Sequence, residues 1–276
     1  MNYTKQGLSR LRGLGVQERR LLSDLVATEK PTISADDVVQ RLDVNRTHAN
    51  LMLSRLYKKG WLQRLRRGVY RPVPISSKTA EPIPEDPFAI ATALFAPCYI
   101  SGWSAAEHWD LTEQISNTVV VITSRRLRSK KHLVARVKYR TKFIPEDLVF
   151  GTTKVWFGVL ATQMADPHRT VTDVLSWPHL GGGGRQTMDI VRAYWKGQHA
   201  DPDLLLEYAQ RLRNGALFKR LGLTTELFAH PTDEWIARCR HGITKGIALL
   251  DPSGPRRGTI ISRWRVRQNF PLPDEE

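Results

Sequence analysis

The sequence predicts an α+β protein in two parts, a small N-terminal domain joined to a larger mixed α/β one. Three observations carry that expectation. Helical patterns and a hairpin-like segment follow one another within residues 17–73, the span Val44–Ala80 holds no Asp or Glu, and a proline-rich stretch at 72–87 separates the two parts.

The N-terminal elements follow from local chemistry. QERRLLSDLVATE (17–29) places Leu21, Leu22, Leu25 and Val26 at helical spacing with charges opposite, which predicts a first helix. Pro31 ends it, because proline lacks an N–H and restrains the residue before it. Ser34 reads as the N-cap of a second helix, ADDVVQRL, whose Asp36 and Asp37 suit the positive end of the helix dipole. A turn at Asp43-Val44 leads to a third helix capped by Asn45, with Leu51, Leu53, Leu56 and Tyr57 as its apolar positions and Gly60 as its stop. WLQRL and VYRPV, separated by RRG, predict a β-hairpin. Three helices and a hairpin in this order are the plan of a winged helix-turn-helix.

That plan accounts for the missing acids. The second helix of a helix-turn-helix lies in the major groove of DNA, its N-terminal residues toward the base edges. Here those residues are Asn45, Arg46, Thr47, His48 and Asn50, all able to donate hydrogen bonds and none negative. The hairpin tip is expected to bring Arg64, Arg66 and Arg67 to the phosphate backbone. A carboxylate in either element would face phosphates at short range, a costly like-charge contact. The expected partner is double-stranded DNA.

The charge supports this. Of the formal +15, residues 1–75 supply +9, fifteen Lys and Arg against six Asp and Glu. Concentrated positive charge favours a polyanion, since each neutralised phosphate releases condensed counterions. A hydrophobic content of 41% suits a packed globular protein. No run of eighteen apolar residues occurs, so no transmembrane helix or membrane partner is expected. MNYTKQGLSRLRGLG lacks an apolar core and does not resemble a secretory signal. Cys98 and Cys239 form no CxxC, which points to a reducing, cytoplasmic setting.

Residues 74–87 are expected to be an extended linker between a domain at 1–73 and a second at 88–276. In the second, FAIATALFAPCYISGWSAAEHWDL predicts two helices around a short extended piece, and TVVVIT (118–123) a buried strand. HLVARVKYRTKFI is expected to continue as one strand. Between Gln114 and Pro145 acids vanish again while nine Lys and Arg accumulate. Their centre, with Arg125, Arg126, Arg128, Lys130 and Lys131, is expected to be an exposed loop and a second basic surface. DPHRTVTDVL has Asp166 as N-cap, Pro167 at the first helical position and an Arg169–Asp173 pair at i,i+4, all folding signals. GGGG (181–184) reads as a flexible turn, and DPDLLLEYAQRLR as a helix capped by Asp201.

Chemistry is thin. The eight histidines show no HxxxH, and neither GxSxG nor a Walker pattern appears. Lys154 in GTTKVWF lacks the acid two residues earlier that a metal-dependent nuclease would want. His168 and Glu107 read as structural. No catalytic residue, metal or cofactor is expected.

Three further stretches carry a likeness. YISGWSAAEHWDLTEQ (99–114), RLRNGALFKRLG (211–222) and LLDPSGPRRGTIISRWRVRQN (249–269), in this order behind a winged helix, resemble the AbiEi family. Its members are antitoxins of abortive-infection (type IV) toxin–antitoxin systems. The resemblance spans roughly residues 10–270. It implies a bacterial phage-defence protein whose winged helix represses its own operon by cooperative binding to repeated sites. It further implies a C-terminal domain that counteracts a cognate, nucleotidyltransferase-like toxin and carries a basic face, for which 125–131 is the candidate. Two other readings stay open on the residues alone: an ordinary winged-helix regulator with a ligand-sensing C-terminal domain, and a nucleic-acid enzyme such as a nuclease.

Overall fold

The computed structural model describes residues 13–26, 30–74, 77, 79–80, 82, 84, 86–157 and 160–272. The expected helical residues 27–29, the N-terminal twelve and parts of the expected linker lie outside them. So do the side chains of Leu25 and Val26.

The chain forms two compact units. The first holds residues 1–94 with 132–139 and 156–161, and the second holds 95–131, 140–155 and 162–276. The first unit is a winged helix. It runs α1 (Val16–Val26), β1 (Ile33–Ser34), α2 (Ala35–Leu42), α3 (Arg46–Lys58), β2 (Leu62–Arg66) and β3 (Val69–Pro72), followed by α4 (Pro87–Phe95). Its three-stranded antiparallel sheet has the order β1-β3-β2. Leu21 and Leu22 of α1, Val38 of α2, Ala49, Leu53 and Leu56 of α3, and Leu62 and Tyr70 of the hairpin share one core.

Local signals place the helix ends. Asp37 Oδ2 accepts from the Ser34 backbone N–H at 2.8 Å and from its hydroxyl at 2.7 Å, holding the start of α2. Asp43 ends α2 in the left-handed region at φ 50°. After α3, Gly60 takes φ 86°, and the N–H groups of Gly60 and Trp61 return to the carbonyls of Tyr57 and Leu56.

The second unit begins in α4 and continues through β4 (Cys98–Ile100), α5 (Gly102–His108) and β5 (Thr118–Thr123). In chain order β6 (Lys131–Val134), β7 (Val137–Phe143), β8 (Thr152–Phe157) and β9 (Leu160–Ala165) come next, of which residues 132–139 and 156–161 belong to the first unit. The strand order is β6-β7-β5-β4-β9-β8. β4 pairs antiparallel with β5 and parallel with β9. Five helices follow: α6 (Pro167–Ser176), α7 (Gly184–Lys196), α8 (Pro202–Leu212), α9 (Gly215–Ala229) and α10 (Asp233–His241). A small sheet of β10 (Ala248–Leu249), β12 (Val266–Gln268) and β11 (Thr259–Ile261) closes the chain. These helices share a core with Trp264 and Val266.

Two expectations are corrected here. HLVARVKYRTKFI is a hairpin, turning at Ala135 (φ 48°) and Arg136 (φ 65°), because two successive left-handed residues match the twist of the flanking strands. The glycine run is a packed junction. A Cβ at Gly182 (φ 90°) would lie 2.0 Å from the Trp103 ring, and Gly184 opens α7 with its N–H on Asp251 Oδ2 at 2.9 Å.

Asp166 caps α6 through the Arg169 N–H at 2.7 Å. One turn on, Arg169 and Asp173 pair at 3.0 Å with both side chains wholly buried. Asp173 Oδ2 also accepts from Ser101 at 2.7 Å and Tyr99 at 3.1 Å. Arg169 Nη2 donates to Tyr99 at 2.7 Å, and its guanidinium lies 4.3 Å from the Phe150 ring centroid. The pair is thus the polar centre of the second unit's core.

Candidate nucleic-acid interface

The site grows from α3. Asn45 Oδ1 accepts the His48 N–H at 2.8 Å, so Asn45 holds the helix start rather than offering that oxygen to a base. The first turn of α3 carries no acid, which leaves the positive end of its dipole unmasked. Ala49, Leu53 and Leu56 form the buried stripe, spaced as a 3.6-residue period requires. The face opposite carries Thr47, Leu51, Arg55 and Lys58, all exposed.

This phase divides the four expected apolar positions of α3. Leu53 and Leu56 are core, but Leu51 is 47% exposed and Tyr57 41%. Leu51 and Lys58 stand at the centre of the outward face, and a helical projection registered on Ala49 would have found them. Arg46, Thr47, His48 and Asn50 are exposed on the first two turns.

The hairpin is the wing. Arg66 and Val69 pair across the two-residue turn Arg67-Gly68, where Gly68 takes φ 75°. Arg66 and Arg67 therefore flank the tip, and Arg64 lies farther back, opposite Tyr70. A bulge between Arg64 and Arg66 tucks Leu65 inward and leaves all three arginines exposed. Arg66 Nη1 sits 3.5 Å from the Leu94 carbonyl.

Other cations of the acid-free span have structural work. Arg71 is buried, donating to Gln63 Oε1 at 2.7 Å and to the Pro82 carbonyl at 2.5 Å. Lys59 pairs with Glu18 at 2.5 Å, and that contact holds the Glu18 carboxyl below its ordinary value. One acid does approach the exposed start of α3. Asp36, in the first turn of α2, pairs with Arg46 at 2.5 Å, with side chains 62% and 69% exposed.

Residues 20–73 match the family described as transcriptional regulator, AbiEi antitoxin. The matched segment covers most of α1, both helices of the helix-turn-helix and the whole wing. The complete chain is similar in fold to the crystal structure of RV2827C protein from Mycobacterium tuberculosis. The TM-score is 0.67 at 13% identity, over 94% of this chain and 93% of that one. No curated protein matches the sequence.

The second basic region lies outside the matched residues 20–73. Arg126, Arg128, Lys130 and Lys131 are exposed and Arg125 is half-buried. Arg126 stacks over Phe143 at 4.4 Å and Lys142 over Trp177 at 4.7 Å, while Arg140 Nη1 donates to the His179 carbonyl at 2.6 Å. Burial lowers the His179 pKa, and repulsion from Arg140, Lys142 and Lys130 lowers it further.

His168 Nδ1 lies 2.8 Å from the Tyr194 hydroxyl, a partner within the fold. Among the described residues no group of three or more His, Cys, Asp or Glu is placed to hold a metal ion. Among them, too, no helix is long and apolar enough to cross a membrane.

Proposed function

We propose that this chain is a DNA-binding antitoxin that represses its own toxin–antitoxin operon. The observation that carries the reading is an exposed α3 face, acid-free and with an unmasked dipole end, beside a wing tipped by two arginines. The match of residues 20–73 to AbiEi antitoxin regulators supports it. In this reading Arg46, Thr47, His48 and Asn50 meet bases or nearby phosphates, and Asn45 presents them by holding the helix start. Arg64, Arg66 and Arg67 meet the backbone. The functional division we assign is a DNA-binding domain at 1–73, a linker at 74–87 and an antitoxin domain at 88–276. The antitoxin domain counteracts a nucleotidyltransferase-like toxin, and the surface at 125–131 adds a second polyanion contact. The protein acts in the bacterial cytoplasm, without catalysis and without a cofactor.

Two measurements test the two halves. Full-length protein should bind duplexes from the DNA upstream of its own coding sequence more tightly than scrambled duplexes at about 150 mM salt. Equal binding removes the repressor half. An adjacent co-transcribed gene should arrest growth when expressed alone and be tolerated with this chain present; arrest in both cases removes the antitoxin half.

Asp36 provides a sharper check on the surface. Its pair with Arg46 is exposed, so breaking it should alter stability by no more than about 1 kcal/mol. Asp36→Asn deletes a negative charge beside the phosphates and releases Arg46. Operator affinity is expected to rise, by roughly two- to fivefold at about 150 mM salt. A fall in affinity with unchanged folding would show that the pair orients Arg46 for reading.

A further inference from the structure

Leu51 is an apolar side chain, 47% exposed, in the middle of the face that α3 turns to solvent. At about 100° per residue it points some 200° away from Ala49, the start of the buried stripe. Thr47 lies one turn before it, with Arg55 and Lys58 one and two turns after, all exposed. Leu51 takes no part in the core shared by Ala49, Leu53 and Leu56. The fold therefore does not require a hydrophobe here, and a polar residue would be equally compatible with packing.

In the major groove the base edges offer hydrogen-bonding groups and one apolar group, the C5 methyl of thymine. We infer that Leu51 is a specificity-determining residue that packs on a thymine methyl of the operator. The inference rests on the DNA-reading proposal above and deepens it. The neighbourhood fits that occupant: Arg55 and Lys58, on the same outward face one and two turns after Leu51, suit phosphates beside it, and no carboxylate stands on α3. The distance fits as well. Thr47 and Leu51 are about 6 Å apart along the helix axis, close to two base-pair steps. Leu51 thus stands within about two base-pair steps of Thr47.

The test uses full-length protein and fluorescence anisotropy. The best-bound duplex is first selected from a random-sequence pool, then remade with every thymine replaced by uracil, which removes only the methyl groups. Wild type is expected to lose roughly fourfold in affinity for each methyl that it buries. In Leu51→Ala the contribution of the methyl facing residue 51 should vanish, so the uracil penalty shrinks by about that factor while binding to scrambled DNA is unchanged. An equal uracil penalty in wild type and Leu51→Ala overturns the inference and leaves DNA reading intact. Failure to enrich any sequence from the pool overturns both. If Leu51→Ala instead changes the sedimentation of free protein and leaves the uracil penalty untouched, Leu51 faces a second protein copy and the inference also falls. Unchanged melting of Leu51→Ala establishes that the fold is not the cause.

Discussion

Asp173→Ala is expected to destabilise the second unit by about 3–5 kcal/mol, the cost of removing one partner of a buried ion pair. The substitution leaves the Arg169 guanidinium without its counter-charge where both side chains are wholly buried. It also takes the acceptor from the Ser101 and Tyr99 hydroxyls. Arg169 Nη1 is already buried without a hydrogen-bond partner among the described residues, which leaves it little alternative solvation. Its contact with the Phe150 ring at 4.3 Å gives modest compensation. A loss of this size is a large part of the 5–15 kcal/mol typical of a folded domain. Asp173→Asn should fall between, since its amide oxygen still accepts from a hydroxyl although the charge is gone. Urea unfolding monitored by tryptophan fluorescence measures all three proteins. A change below about 1 kcal/mol for Asp173→Ala would mean that water replaces the carboxylate and that the pair does not organise this core.

Replacing Arg66 and Arg67 together with alanine is expected to change DNA binding in a manner that reports the wing directly. For duplex DNA, log K falls with log salt by about 0.9 for each neutralised phosphate, so two lost contacts reduce the slope by nearly two. The loss in affinity should be greatest at low salt and narrow as salt rises. Arg66 borders the turn that Gly68 closes and Arg67 stands within it, and neither belongs to the buried core. The double variant should therefore melt like wild type. An unchanged slope would place the wing away from the backbone and leave α3 as the whole interface.

Much of the first unit could be read from the chain because its determinants are local. Asn45 caps α3 through a bond three residues on, and Asp166 and Asp201 do the same for α6 and α8. Such bonds depend on residue type and spacing alone. The outward phase of α3 is legible too: measured from Ala49, the helical period separates the exposed Leu51 from the buried Leu53 and Leu56. The roles of Arg71 and Lys59 were out of reach. Their partners, Gln63 with Pro82 and Glu18, stand across a hairpin or 41 residues away. A lysine or arginine in a basic run looks the same whether it faces solvent or a buried carbonyl.

The order of elements, the caps, the absence of acids within α3 and the wing, and the two-part plan follow from the chain, because helix signals and charge are properties of neighbouring residues. Folding settled which cations are committed to the interior, that Asp36 draws Arg46 toward α2, and that Arg169 and Asp173 are a core pair joined to Tyr99 and Ser101 some seventy residues away. Those outcomes depend on burial and on meetings between distant segments. Desolvation makes the same side chain a surface charge in one place and an obligate partner in another.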